Sequence, residues 1–141
     1  MTVSAPATVL AFDFGTRRIG VAVGTTITRS ARALTTIDGP DGPSRDAALA
    51  QVIAQWEPQL LVVGLPVHAD GTPHAMTDRA RRFGETLRER FAIAVEYADE
   101  RHTSELAKTA LAGRGREGRA KRDEVAAQII LQGWLDDHAT A

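Results

Sequence analysis

Two hydrophobic periods alternate along this chain. Val9 to Phe14 is a short run of β-branched, aromatic and small apolar residues, the pattern of a strand covered on both faces, and predicts a strand over 8–15. Arg18–Gly24 predicts its antiparallel partner across a tight Gly-Thr-Arg turn. In that second strand Gly20, Ala22 and Gly24 alternate with Ile19, Val21 and Val23. One face is bulky and the other nearly bare, which leaves space over the bare face. Ala31–Ile37 predicts a third strand, ended by the stacked turn signal Asp38-Gly-Pro-Asp-Gly-Pro43.

Beyond that turn the period lengthens. Ser44 is placed to cap a helix whose apolar residues Leu49, Val52, Ile53 and Trp56 fall at i, i+3, i+4 and i+7, and Pro58 stops it. Leu60–Val63 reads as a buried strand, followed by Gly64-Leu-Pro66 and a loop through Asp70-Gly71. Met76, Ala80, Phe83, Leu87 and Phe91 form the next helical stripe, with Arg79, Arg81, Arg82, Arg88 and Arg90 on its outer face. Ile93–Ala98 is a strand running into Asp99-Glu-Arg101. A helix over about 103–112, a Gly/Arg-rich segment and a closing helix over about 123–136 complete the order β-β-β-α-β-α-β-α-α. This order predicts an α/β protein: one domain over 1–141, with a mixed five-stranded sheet and helices on both faces.

Composition narrows the class. The 141 residues are 43% hydrophobic and 25% charged, as in a globular protein with a core, and no internal repeat is visible. Cysteine is absent, which excludes disulfides and thiolate metal sites. No apolar run approaches the ~20 residues of a membrane span, and the N-terminus has neither the basic nor the apolar region of a signal peptide. The expected setting is the cytoplasm, away from membranes. Net charge is -1, but residues 1–70 carry 5 basic and 6 acidic side chains while 71–141 carry 12 of each. Clustered signs in the second half allow a local basic surface.

Three acidic positions end elements near one edge of this sheet. Asp13 closes the first strand, Asp99 and Glu100 close the last, and Asp123 opens the final helix. Carboxylates gathered in this way repel, and a divalent cation is the usual reason to tolerate them. Oxygen-only ligands favour Mg²⁺ or Mn²⁺ over zinc. Each position also has a plain reading: Asp123 as an N-cap, Asp99-Glu100 as a solvated strand end beside Arg101, Asp13 as a partner of Arg17 or Arg18. Alternation sends Asp99 and Glu100 to opposite faces, so at most one ligates directly. Gly113–Arg122 holds five cations (Arg114, Arg116, Arg119, Lys121, Arg122), one anion and three glycines. A mobile basic loop beside an acidic metal site suits a phosphodiester backbone. His68 and His74 flank a turn and read as surface histidines; Trp56 and Trp134 read as core, and Thr103-Ser104 as a helix cap.

Four blocks then resemble one bacterial family, the YqgF/RuvX proteins, described as pre-16S rRNA nucleases and as Holliday-junction-resolvase-like. The blocks are Phe12–Gly24, Val62–Gly71, Asp99-Glu-Arg101 with Thr103, and Asp123–Ala127 leading into Ile129-Ile-Leu131. The resemblance implies an RNase H-like fold and a divalent-metal nuclease site. Carried over by position, its catalytic acids are Asp13, one of Asp99 and Glu100 (Glu100 preferred), and Asp123, with Mg²⁺ or Mn²⁺ held by this acidic set. Arg17, Arg18, Arg114, Arg116, Arg119, Lys121 and Arg122 are the candidate nucleic-acid contacts. Departures fall at His68, Ala69 and His102, and touch substrate grip rather than the acidic set.

The implied substrate is pre-16S rRNA at its 5′ end, with branched DNA as the alternative, since neither leaves a base-reading motif. A non-cleaving assembly factor is a third reading. A fourth takes Asp13-Phe-Gly-Thr16 as the phosphate loop of a kinase-like or actin-like domain, but such proteins need two domains of this kind and the length gives one. The chain leaves monomer and homodimer equally open.

Overall fold

A computed structural model of the protein describes residues 6–66, 75–99 and 115–138, with side chains of the last segment from Asp123 onward. Five strands, β1 (Thr8–Phe14), β2 (Arg18–Thr25), β3 (Ser30–Asp38), β4 (Leu60–Leu65) and β5 (Ala94–Asp99), form a single sheet in the order β3-β2-β1-β4-β5. β1 pairs antiparallel with β2, and β2 with β3; β4 runs parallel to both β1 and β5. Hairpin turns too short for a crossover make the first three strands antiparallel, while intervening helices make β4 and β5 parallel. α1 (Pro43–Trp56) and α2 (Ala75–Phe91) lie on one face and α3 (Gly115–His138) on the other, giving the mixed sheet and two helical layers that the order of elements implies.

Each face buries its own core. Leu10, Phe12, Ile19, Val21, Leu61 and Val63 pack with Leu49, Ile53 and Leu87 under α1 and α2. Val9, Ala11, Ala22, Leu60 and Val62 pack with Ala127, Ile130, Leu131, Trp134 and Leu135 of α3. Successive strand residues therefore alternate between two apolar layers, which is why β1 and β4 are apolar at almost every position. Among the described residues no helix is long and apolar enough to cross a membrane.

Four local expectations need correction. Ser44 does not cap α1: the helix begins one residue earlier, with Pro43 in its first turn, Gly42 as N-cap at φ 152° and no side-chain cap. A proline at N1 has no N–H to leave unpaired and its fixed φ suits the first turn, and glycine accepts the positive φ of the cap. Asp123 does not open the last helix, and the Gly/Arg-rich segment is not a loop throughout, because α3 starts at Gly115. Of the residues from 116 to 122 only Gly118 opposes a helix, while Arg, Lys, Glu and Ala all favour one. The bare face of β2 is not open space either, since α3 lies on it. The helix expected over 103–112 falls outside the described residues.

Candidate metal and nucleic-acid site

The site begins at one cross-strand pair. Asp13 on β1 stands opposite Gly20 on β2, and side chains of directly opposed residues share a face. Val9 and Ala11 belong to the layer under α3, so alternation directs Asp13 to the same side. At Gly20, α3 lies against the strand backbone. A Cβ built there would stand 1.9 Å from the carbonyl oxygen of Asp123 and 2.3 Å from its carbonyl carbon. No residue but glycine admits the helix at that distance.

α3 supplies the second carboxylate on the same stripe that buries its apolar residues. Asp123, Ala127, Ile130 and Trp134 recur at helical spacing, and the last three are buried against the sheet. Asp123 thus lies at the sheet-facing end of that stripe, its side chain 19% exposed. Arg18, on the face of β2 that also carries Gly20 and Ala22, donates Nε–H to Asp123 Oδ2 at 2.6 Å. The sequence allowed Arg18 to pair with Asp13 or to grip a phosphate backbone; here its partner is Asp123, because β2 and α3 bring those two together. The bond is charge-assisted and half-buried, and it fixes one oxygen of the carboxylate.

The other expected residues separate from this pair in an instructive way. Asp99 ends β5 in register with Leu65 of β4, and Leu65, Val95 and Tyr97 all belong to the layer under α1 and α2. Asp99 is therefore on the opposite face of the sheet from Asp13 and Asp123, which removes it from a shared ligand set with them. Glu100 and Arg114 lie outside the described residues, as do the side chains of Arg116, Arg119, Lys121 and Arg122; His68, His74 and His102 lie outside them too. Arg17 is exposed in the β1–β2 turn, where its carbonyl accepts the N–H of Gly39 at 2.9 Å.

Asp13 and Asp123 supply hard carboxylate oxygens, the donor chemistry of Mg²⁺ or Mn²⁺. Among the described residues no group of three acidic or imidazole side chains gathers around them. Among the described residues the pair fits part of a hard-cation site.

One buried residue near the site was not among those the sequence singled out. Arg45 of α1 is 3% exposed, and its Nη1–H donates to the carbonyl of Thr16 at 3.2 Å, holding the turn that follows Asp13. Its guanidinium lies 5.0 Å over the Phe14 ring and 5.9 Å over Phe83. Burial lowers its pKa from the ordinary arginine value, outweighing the opposing pull of Asp41 and Asp46. Only its place at the start of α1 hinted at a helix-terminal charge; its burial depends on the packing of α1 against the turn.

Comparison with known proteins bears on this geometry. Residues 7–137 match the family model described as RuvX, Holliday junction resolvase. A protein of Dechloromonas aromatica named "Putative pre-16S rRNA nuclease" is 52% identical over 132 residues, covering 92% of this chain and 90% of its own. A Burkholderia multivorans protein of the same name is 49% identical, covering 92% and 89%. Among solved structures, Thermus thermophilus RuvC in complex with a Holliday junction substrate superposes with TM-score 0.55 at 14% identity, covering 94% of this chain and 95% of its own. The fowlpox virus Holliday junction resolvase superposes with TM-score 0.56 at 8% identity, covering 92% and 98%. These structural likenesses establish a RuvC-like, RNase H-type fold.

Proposed function

The chain belongs to the RuvX family, and we propose that it is a cytoplasmic, divalent-metal-dependent nuclease hydrolysing phosphodiester bonds in 5′-end maturation of the 16S rRNA precursor. The observation that carries the reading is the placement of Asp13 and Asp123 around Gly20, on one face and at one end of the sheet. Relatives at about half identity named for pre-16S rRNA favour RNA over the branched DNA of the family description.

Asp13 and Asp123, with Glu100 as the third ligand, would hold Mg²⁺ or Mn²⁺. When bound, the cation supplies an activated water and charge neutralisation at the leaving oxygen. Arg18 occupies Oδ2 of Asp123, leaves its other oxygen for the cation, and offsets the repulsion between the two carboxylates. Arg45 holds the turn after Asp13 through Thr16 and so limits how far that carboxylate can move. Arg17, Arg114, Arg116, Arg119, Lys121 and Arg122 supply positive charge for the phosphate backbone, which fixes register without reading sequence.

The test is a cleavage assay on labelled 16S precursor 5′-leader RNA and on a four-way DNA junction, with Mn²⁺, with EDTA, and with Asp13→Asn. The expected outcome is Mn²⁺-dependent cutting of the RNA that falls to background in Asp13→Asn, while the variant keeps its circular dichroism spectrum. Cutting of the junction alone would move the substrate to branched DNA. Cutting by Asp13→Asn at the wild-type rate would overturn the site.

A further inference from the structure

On the face of the sheet away from α3, the β1–β2 turn, α1 and α2 enclose a cavity of about 500 Å³. Four arginines line it: Arg45 from α1, and Arg79, Arg82 and Arg90 from α2. Its carboxylates are Asp41 and Asp46. Asp46 is committed to Arg90, at 3.7 Å between charged atoms, and its carbonyl accepts Nη2–H of Arg90 at 3.2 Å. Asp41 stands against buried Arg45. Among the described residues two guanidiniums are left in excess. Arg79 and Arg82 are exposed and make no hydrogen bond or ion pair among the described residues. The sequence pattern placed the α2 arginines on a solvated helix face; the fold turns three of them, Arg79, Arg82 and Arg90, over a concavity.

The cavity also has an aromatic wall. Phe14 and Phe83 are partly buried, lie 4.9 Å apart between ring centroids, and carry the Arg45 guanidinium over their rings. Phe14 immediately follows Asp13, and Thr16 both lines the cavity and accepts from Arg45. The cavity thus opens at the same end of β1 as the candidate site but on the opposite face.

We propose that this cavity is a second nucleotide-binding subsite, its phosphate held by Arg79 and Arg82 and its base laid against Phe14 and Phe83. Arginine forks match phosphate geometry, and aromatic rings accept any base. The unit comes either from a nucleic-acid strand held at Asp13 or from a free mononucleotide. In the first case the inference rests on the nuclease reading; in the second it stands without it.

Fluorescence anisotropy of a short labelled single-stranded RNA, across a salt series, tests it. Three proteins are compared: wild type, Arg79→Ala/Arg82→Ala, and the control Arg32→Ala/Arg81→Ala, whose arginines cover Trp56 and Tyr97 outside the cavity. The cavity variant should bind roughly tenfold more weakly, with a salt slope shallower by about 0.7, the value for one lost phosphate contact on a single strand. The control should keep the wild-type slope. Displacement of the RNA from wild type by uridine monophosphate identifies a free nucleotide as an occupant; failure to displace assigns the subsite to the strand. Inorganic phosphate competing as well as the nucleotide would overturn the aromatic half of the proposal. Wild-type affinity and slope in the cavity variant would overturn the whole. Loss of binding in that variant alongside a wild type that cleaves nothing would retire the nuclease reading and leave the subsite standing.

Discussion

The two faces of this sheet solve the packing of a helix differently. Over β2, α3 rests on glycine and alanine, so closely that Gly20 meets the backbone of Asp123. Under α1 and α2 the same sheet presents Leu10, Phe12, Ile19 and Val63, side chains that hold the helices away and leave a cavity of about 500 Å³ beside them. Small residues bring a helix-borne carboxylate toward a strand-borne one, and the near contact makes a place where charges must be paired or bound. Bulky residues keep distance and leave room for a ligand. One chain builds both by alternating residue size along β1 and β2.

Breaking the close face should have the largest effect. Gly20→Ala places a methyl group where the Asp123 carbonyl now lies, so α3 must shift. We expect a loss of about 3 kcal/mol in urea unfolding, and cleavage to fall as Asp123 moves from Asp13. Arg18→Ala should leave the fold intact and lower cleavage on the order of 10- to 100-fold, since Asp123 loses the group that orients it; an unchanged rate would make the pair purely structural. Gly133→Ala, in the same helix but with nothing within 4 Å of the new methyl, should instead raise stability by about 0.5–1 kcal/mol. Similar outcomes at Gly20 and Gly133 would erase the distinction between contact and open positions on α3.

The smallest prediction sharpens the other face. Tyr97 on β5 packs against Gly84 of α2 and donates its hydroxyl hydrogen toward Glu85 Oε2 at 2.5 Å. Burial first, then the hydrogen bond and charge of Glu85, push the phenol up to about 12 from 10.0. A raised folded-state value means the stability tied to the neutral phenol is intact below the ordinary tyrosine range and fades as pH climbs toward about 12. Because this is the single tyrosine of the chain, its ultraviolet titration reads the site directly. A midpoint near 12 that falls in Glu85→Gln supports the α2–β5 packing, and an ordinary midpoint contradicts it.

Much of this was legible in the sequence where local pattern decides. The five strands follow from β-branched runs and their alternation, and Asp13 stood out because a charge interrupts an apolar strand. The start of α3 did not, because glycines in the 113–122 segment suggested a loop although most residues between them favour helix. The bare stripe of Gly20, Ala22 and Gly24 was visible, but a stripe does not say whether ligand or helix fills it; here Leu131 and Leu135 do, beside Gly24. Asp99 could be assigned to a face only through its register with Leu65, and the burial of Arg45 only through packing across α1, α2 and the β1–β2 turn. Those are tertiary facts, invisible to spacing along one element.

The central claim is that Asp13 and Asp123 hold the same cation. Mn²⁺ titration followed by electron paramagnetic resonance tests it on wild type, Asp13→Asn and Asp123→Asn without requiring a substrate. The expected result is a bound Mn²⁺ signal in wild type that weakens strongly in each single variant and no further in the double variant. Wild-type Mn²⁺ affinity in either single variant, with the fold retained, would contradict it.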